Sequence, residues 1–586
     1  MKNIYTLLIS ALLVFTLGAC SDYYSTDNNP ITYGETYLPV DLTTDKAIYS
    51  PGDVVVFSLN KKLGSDVIIR YSHLGEVLNE ENLSGSSWTW ITPKTDFKGY
   101  LVDLYKIVDG KEQIIESIAI DVSSSWIRFP RYGFLSSYGR MSEKDIRRNI
   151  EVLNRYRING VQFYDWMYDH HKPLAGSVVN PSQTWLDLMG RENHFSTVND
   201  YISVIHEKGM KAMFYNLCFG ALSNAETDGV KETWYIFKDQ NHKEKDNHHL
   251  DPPFRSSIYL TNPANGEWQD YIAKQHADVY TVFGFDGYHI DQLGGRGSVY
   301  DYNGNEVSLP NTYGSFVNSM KEKAPTKFHA MNAVNQFGQK ETIAKSAVDF
   351  LYTEVWDPNN SYQQLASVLL DNYKYSDYQK NSVLAAYMNY DISNNFGYVN
   401  APGVLLTNSV IFAFGGAHIE IGEHYLANEY FPNDNLQMRT SLQLDLIHYY
   451  DFLTAYENVL RDGGEFTNVK VSSTDQKLAV APWPVDRGEV AVVSKKVDTR
   501  DVIHLINFTN ANSMDWGDKK GTQVEPVSIE DSVISIAVTQ PVKKVWFASP
   551  NYKKGVATKL DFESSANSIS VTIPYLKYWD MIVIEY

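Results

Sequence analysis

Apolar and polar positions alternate in two different ways along this chain. From about residue 33 to 122, and again beyond residue 461, apolar residues come in short runs broken by turn signals. In between, short apolar runs take turns with helix-length patterns. The first segment has runs at 54–57, 66–71, 87–91, 100–107 and 114–122, separated by Pro51-Gly52, Leu63-Gly64-Ser65, Gly85-Ser86-Ser87 and Asp109-Gly110. Short strands at that spacing predict an immunoglobulin-like β-sandwich over 33–122. The last segment has runs at 469–472, 478–481, 490–493, 501–507, 533–538, 543–547, 568–573 and 581–586, which predict an antiparallel β-sandwich over 466–586.

The middle segment, 123–465, predicts a (β/α)8 barrel. Its strand-like runs fall at 131–136, 160–164, 211–215, 287–290, 327–331, 350–353, 383–388 and 417–419. Ser142 followed by Asp145 has the form of a capping box opening a helix towards residue 157. Helical patterns follow at 266–280, 338–347 and 361–373, with a long one at 436–461. Almost every expected strand ends in a polar side chain: Ser136 and Ser137, Asp165 with Trp166, Asn216, Asp291, Asn332, Glu354 with Trp356, Asn389, and Glu420. That is the barrel face where enzymes of this architecture keep their sites. Amides, carboxylates and aromatics with few cations suit a neutral, hydroxyl-rich ligand.

Composition narrows the field further. A net charge of −19 excludes nucleic acid or an anionic membrane surface as the ligand. The 41 Tyr, 12 Trp and 26 Phe suit sugar stacking, and equally suit β-rich cores. Only Cys20 and Cys218 occur, so no disulfide framework is expected. Residues 1–19 carry one Lys and an apolar run ending in Leu17-Gly18-Ala19-Cys20. This resembles the lipobox of bacterial lipoprotein precursors: a signal at 1–19, lipidation at Cys20 and a polar tether at 20–32. The expectation is a monomer anchored to the outer membrane through Cys20 and displayed at the cell surface.

The most concentrated chemistry lies in Asp286-Gly287-Tyr288-His289-Ile290-Asp291, followed by Gly294-Gly295-Arg296-Gly297. Asp291 ends strand four at a glycine-rich turn, and Glu354 ends strand six beside Val355 and Trp356. Glycoside hydrolysis needs one carboxylate to attack the anomeric carbon and one carboxyl to protonate the leaving oxygen. Apolar neighbours would keep Glu354 protonated. Other motifs carry less. His170-His171 and His248-His249 lack metal-ligand spacing and read as sugar contacts or surface loops, so no metal or other cofactor is expected. Asp301-Tyr302-Asn303-Gly304-Asn305-Glu306 reads as a turn, and the glycine-rich run is no phosphate loop.

Several stretches resemble glycoside hydrolase family 66: residues 123–134, Gly160-Val161-Gln162-Phe163-Tyr164-Asp165-Trp166, 169–174, 211–216, Gly415-Gly416-Ala417-His418-Ile419-Glu420 and 428–434. The likeness runs from about residue 34 to 586. It implies an immunoglobulin-like domain, a (β/α)8 barrel and a C-terminal β-sandwich, in a family of endo-dextranases and cycloisomaltooligosaccharide glucanotransferases. By the same resemblance, Asp291 is the nucleophile and Glu354 the acid/base, and the partners are dextran and isomaltooligosaccharides. Cyclising members carry a carbohydrate-binding module inserted in the barrel, and no β-rich insert of that size falls between residues 132 and 461. That implies the hydrolase branch. Position and chemistry add Asp165, Trp166, His170, Asn216, His289, Asn332 and Trp356 as substrate contacts. The alternatives are a glucanotransferase and a catalytically inactive glycan-binding lipoprotein.

Overall fold

The computed structural model describes residues 40–586; the leader at 1–19, the tether at 20–32 and Cys20 lie outside the described residues. The N-terminal runs pair into two antiparallel sheets, one of three strands and one of four. Every second side chain of Val54–Leu59 is buried. Together with Trp88 and Trp90 these close a separate core, in which Phe57 stacks on Trp88 and Tyr71 on Trp90. Leu42–Thr44 and Glu76–Asn82 were not expected as strands. The first is three residues long, too short to show an alternation, and the second is exposed along its whole length at a sheet edge, with no buried face to mark it.

The eight parallel strands of the barrel follow one another in sequence order around the sheet, from Tyr132–Leu135 to Ala417–His418. The seam is crossed by the Phe134 N–H donating to the Ile421 carbonyl at 3.3 Å. Gly133 allows that approach, since a Cβ there would lie 2.9 Å from the same oxygen. Gly287 opens strand four for a similar reason: a Cβ would sit 2.3 Å from the Phe328 oxygen and 2.5 Å from Met213 Sδ. Trp126 closes the barrel base against Phe328 and Phe350.

Helices Glu143–Arg155, Phe195–Glu207, Gly266–Val282, Tyr313–Lys323, Tyr362–Tyr375 and Ala401–Ala413 cover the sheet. Ser142 accepts the Asp145 N–H at 3.2 Å, as the sequence suggests, while a full capping box forms at Ser361 and Gln364. Two expected helices differ. Residues 338–347 hold only the π-helical turn Gln339–Ile343, entered through Asn335, Gln336 and Gly338 at positive φ, which interrupts any regular helix. The stretch 436–461 breaks into a strand, Leu436–Gln437, paired with Gly397–Tyr398, then Thr440–Ala455 and the single turn Glu457–Leu460. No helix among the described residues is long and apolar enough to cross a membrane.

Residues 465–585 form a sheet of seven strands facing one of four, antiparallel except where Val480–Pro482 runs parallel to Val490–Val497. Beneath the barrel, buried charges join all three parts. Arg131 bonds Asp121 at 2.5 Å and Glu457 at 3.2 Å, with all three side chains fully buried. Arg155 bonds Asp451 at 2.8 Å, and Lys554 of the C-terminal sandwich bonds Glu116 of the N-terminal one at 3.2 Å.

Candidate active site

Side chains alternate along a strand, so parity decides which of them enter the barrel. Tyr215 on strand three, His289 and Asp291 on strand four, and Tyr352 and Glu354 on strand six share the inward parity and line one cleft at the mouth. The cleft encloses about 600 Å³, a volume suited to a sugar-sized ligand. Asp291 and Glu354 are bridged by a single amide. Asn332 Nδ2, at the end of strand five, donates to Asp291 Oδ1 at 2.8 Å and to Glu354 Oε2 at 3.2 Å. The two oxygens therefore lie within about 6 Å of each other.

Each carboxyl has its own phenol. The Tyr215 hydroxyl donates to Asp291 Oδ2 at 2.8 Å and the Tyr387 hydroxyl to Glu354 Oε1 at 2.6 Å. Burial raises Asp291, against the hydrogen bonds from Tyr215, Asn332 and the Gln292 backbone. Burial and then the charge of Asp291 push Glu354 up to about 7, while Tyr387, Trp356 and Asn332 pull it down by hydrogen bonding. The elevation matches the sequence expectation, and so does burial as its first cause, but the part given to Trp356 does not. Trp356 lowers Glu354; burial and Asp291 raise it. A carboxylate and a neutral acid side by side can act as nucleophile and proton donor.

The other expected contacts divide. Asp165 lines the cleft in a left-handed turn (φ 44°), and burial pushes it up to about 7 against the pull of Arg191. Trp356 lines the wall, half-buried, against Tyr387 and Tyr390. His289 lies at the floor, held neutral by burial with its pKa pushed down to about 3, and stacks on Tyr132 and Tyr215. His170 reaches the cleft while its Nδ1 meets Asn216 Oδ1 at 2.8 Å.

Two contacts require correction. Asn216 has the outward parity: fully buried behind the strand, it donates to the His170 carbonyl oxygen and faces His276 on a covering helix. Trp166 is fully buried too, packed on Phe214, Phe283 and Phe285, with its indole N–H on the Tyr215 carbonyl. Neither reaches the cleft. What the sequence reading missed are Tyr215 and Tyr387, and the inward parity at strand three would have found the first. It also missed Leu250 and Phe254, which line one wall beside His248, a residue read as a sugar contact or a surface loop. Arg296 of the glycine-rich loop secures that wall through a two-bond pair with Asp246 at 2.8–2.9 Å.

Asp169, His171 and Asp228 form the metal-like cluster among the described residues. Its carboxylates already meet Arg255 and Lys172, both at 2.6 Å, and His171 Nδ1 accepts the Leu222 N–H, so ordinary ion pairing accounts for it. Asp301 Oδ1 accepts the N–H groups of Asn303 and Asn305, the plain turn that was expected.

A parallel barrel with two buried carboxyls joined by one amide at its mouth is the equipment of a glycoside hydrolase. The profile of Glycosyl hydrolase family 66 matches residues 44–583, and the chain belongs to that family. A cycloisomaltooligosaccharide glucanotransferase of Niallia circulans is 27% identical in an alignment of 712 positions, covering 92% of this chain and 72% of the relative. A dextranase of Streptococcus salivarius is 24% identical over 595 positions, covering 89% and 71%. The crystal structure of a Paenibacillus sp. cycloisomaltooligosaccharide glucanotransferase complexed with cycloisomaltoheptaose superposes with TM-score 0.85 at 25% identity, covering 92% of this chain and 99% of that one.

Proposed function

We propose that this protein is a retaining endo-dextranase that hydrolyses internal α-1,6-glucosidic bonds of dextran to isomaltooligosaccharides. The observation that carries the reading is the Asn332 bridge, which joins two buried carboxyls, with Glu354 pushed up to about 7, so that one can attack while the other gives a proton. Asp291 attacks the anomeric carbon from the β face as Glu354 gives its proton to the departing oxygen. A β-glucosyl ester on Asp291 forms, and the chain beyond the cut leaves as an alcohol. Glu354, now ionised, takes a proton from water. The water oxygen displaces Asp291 from the α face, restoring the α configuration and the starting protonation states.

Dextran as substrate is supported by the relatives' names, dextranase and cycloisomaltooligosaccharide glucanotransferase. Hydrolysis over cyclisation is supported by chain length. The glucanotransferase alignment spans 712 positions although it covers 92% of a 586-residue chain, so that relative carries residues this chain lacks. The dextranase alignment needs far less room. Transglycosylation to cyclic products is the second reading, favoured by the 0.85 superposition. A time course of dextran products separates them: linear isomaltooligosaccharides come first for the hydrolase, and cyclic products as the main early species overturn it.

Azide tests the two roles. Glu354→Ala should lose roughly 10²–10⁴-fold on dextran, keep far more activity on a nitrophenyl isomaltoside, and give an α-azide on azide addition. Asp291→Gly should be inactive on both and give a β-azide. Exchanged anomers would exchange the roles.

We further propose that the chain works as a monomer. Its site would be at the cell surface, tethered to the outer membrane by acylated Cys20. The lipobox-like Leu17-Gly18-Ala19-Cys20 supports this. Cys20→Ala should lose detergent-phase partitioning, and partitioning like the parent would sink the anchor.

A further inference from the structure

Two residues beyond Tyr387 the chain turns at Asn389 in left-handed backbone (φ 57°), and Asn389 is fully buried. Asparagine tolerates this conformation better than most residues, and here hydrogen bonds from its backbone and side chain fix it. The Asn389 N–H donates to the Gly517 carbonyl at 2.9 Å, its Nδ2 donates to the Asp518 carbonyl at 2.7 Å, and its Oδ1 accepts the Asn400 N–H at 2.7 Å. Gly517 and Asp518 belong to the C-terminal sandwich.

Asp518 is itself buried in left-handed backbone (φ 40°). Its Oδ2 accepts Asn400 Nδ2 at 2.7 Å, and its Oδ1 accepts the N–H groups of Thr522 and Gln523 at 2.7 and 3.0 Å. The same strap grips the loop that follows Glu354 and Trp356. Trp516 donates its indole N–H to the Asn359 carbonyl at 2.6 Å and its backbone N–H to that of Asn360 at 3.0 Å. Residues 514–523 thus cross from the sandwich to the barrel mouth and tie together the loops after strands six and seven.

We propose that this strap, through Asp518, positions Tyr387 against Glu354, making the C-terminal sandwich part of the acid/base apparatus. Asp518 is a positioning residue, outside the cleft lining. The Tyr387–Glu354 bond is 2.6 Å long, and a hydrogen bond of that length fails with a displacement of about 1 Å. A kink two residues away, frozen by a neighbouring domain, prevents such a displacement. The titratable groups facing Glu354 are Asp291, Tyr164, Tyr352, Tyr387 and Tyr390. Of these, Tyr387 is the one bonded to it whose loop the strap holds.

The inference rests on Glu354 being the acid/base, which parent and Glu354→Ala compared on dextran test separately. Asp518→Ala in the full chain should lower kcat on dextran about tenfold while KM stays within about twofold. Its kcat/KM on a nitrophenyl isomaltoside, which hardly needs the acid, should fall much less. The Tyr387 hydroxyl favours ionised Glu354, so displacing it raises that carboxyl. The alkaline limb of kcat/KM should therefore move upward in Asp518→Ala, as in Tyr387→Phe. In the Tyr387→Phe background, Asp518→Ala should cost less than about twofold more, because both remove one interaction. An unmoved limb with equal losses on both substrates, or losses that multiply in the double variant, would overturn the proposal. Asn389→Gly keeps the left-handed turn and the backbone bond while deleting the side-chain link, so it tests the strap even if Asp518→Ala fails to fold. A parental pH profile in Asn389→Gly would also overturn the proposal.

Discussion

The two ends of the barrel bury carboxyl groups in opposite company. At the base, Asp121 and Glu457 meet Arg131, Asp451 meets Arg155, and Glu116 meets Lys554. Burial alone would raise Glu116, yet His448, Lys554 and Arg155 hold it down to about 2. Glu457 is the exception: burial and Asp121 raise it in spite of Arg131 and Arg461. At the mouth, Asp291 and Glu354 are bonded by phenols and an amide, with no cation between them, and Glu354 is pushed up to about 7. Cations fix charge and so fix structure. Neutral donors orient a carboxyl while leaving its proton able to move, and the double displacement proposed above needs that mobility.

The largest effect that tests this contrast is at the base. Arg131→Met leaves Asp121 and Glu457 buried without their guanidinium, a loss of roughly 3–5 kcal/mol in unfolding free energy. The protein that remains folded should hydrolyse dextran with the parental kcat and pH profile. Denaturant unfolding gives the first quantity and activity per folded molecule the second. A changed pH profile would mean that the base is coupled to the chemistry and the contrast fails.

At the mouth the order of effects reverses. Tyr215→Phe should leave stability nearly unchanged and lower kcat/KM by roughly 10- to 100-fold, the worth of a hydrogen bond to a charged group. The hydroxyl favours ionised Asp291, so its loss raises that carboxyl further. Activity is present above the nucleophile's pKa and disappears as pH falls through it, so the acidic limb should move upward. A limb that moved down, or stayed, would contradict the role of Tyr215.

How far the sequence leads follows the same division between local and distant causes. Asp291, Asn332 and Glu354 were legible because each ends a strand whose apolar run is visible, and a barrel aims such ends at one mouth. Asn216 was misread because it too ends a polar-capped run, but the strand continues to Leu217 and parity turns Asn216 to the helices. Trp166 was misread because a tryptophan beside Asp165 suits sugar stacking as well as it suits a core. Its burial is decided by Phe214, Phe283 and Phe285, which lie far along the chain. The strap at 514–523 had no local signal at all. Its partners Asn359, Asn389 and Asn400 are more than a hundred residues away, and only the docking of the sandwich brings them together.

The smallest expected effect sharpens the contrast most. Trp356→Phe keeps an aromatic face on the cleft wall and removes one neutral donor that favours ionised Glu354. With Tyr387 and Asn332 still bonded, Glu354 stays oriented and its pKa shifts upward by less than about one unit. Glu354 must be protonated to release the leaving chain, so activity at the alkaline limb persists until pH passes its pKa. The limb should move up by that fraction, with kcat/KM at its optimum within about threefold of the parent. At the base, deleting one partner of a paired carboxylate strands a charge and destabilises the fold. At the mouth, the same kind of deletion should only retune a proton. A Trp356→Phe enzyme with an unmoved alkaline limb and a large loss of kcat would show instead that the indole works by packing, and would place this wall with the structural end of the barrel.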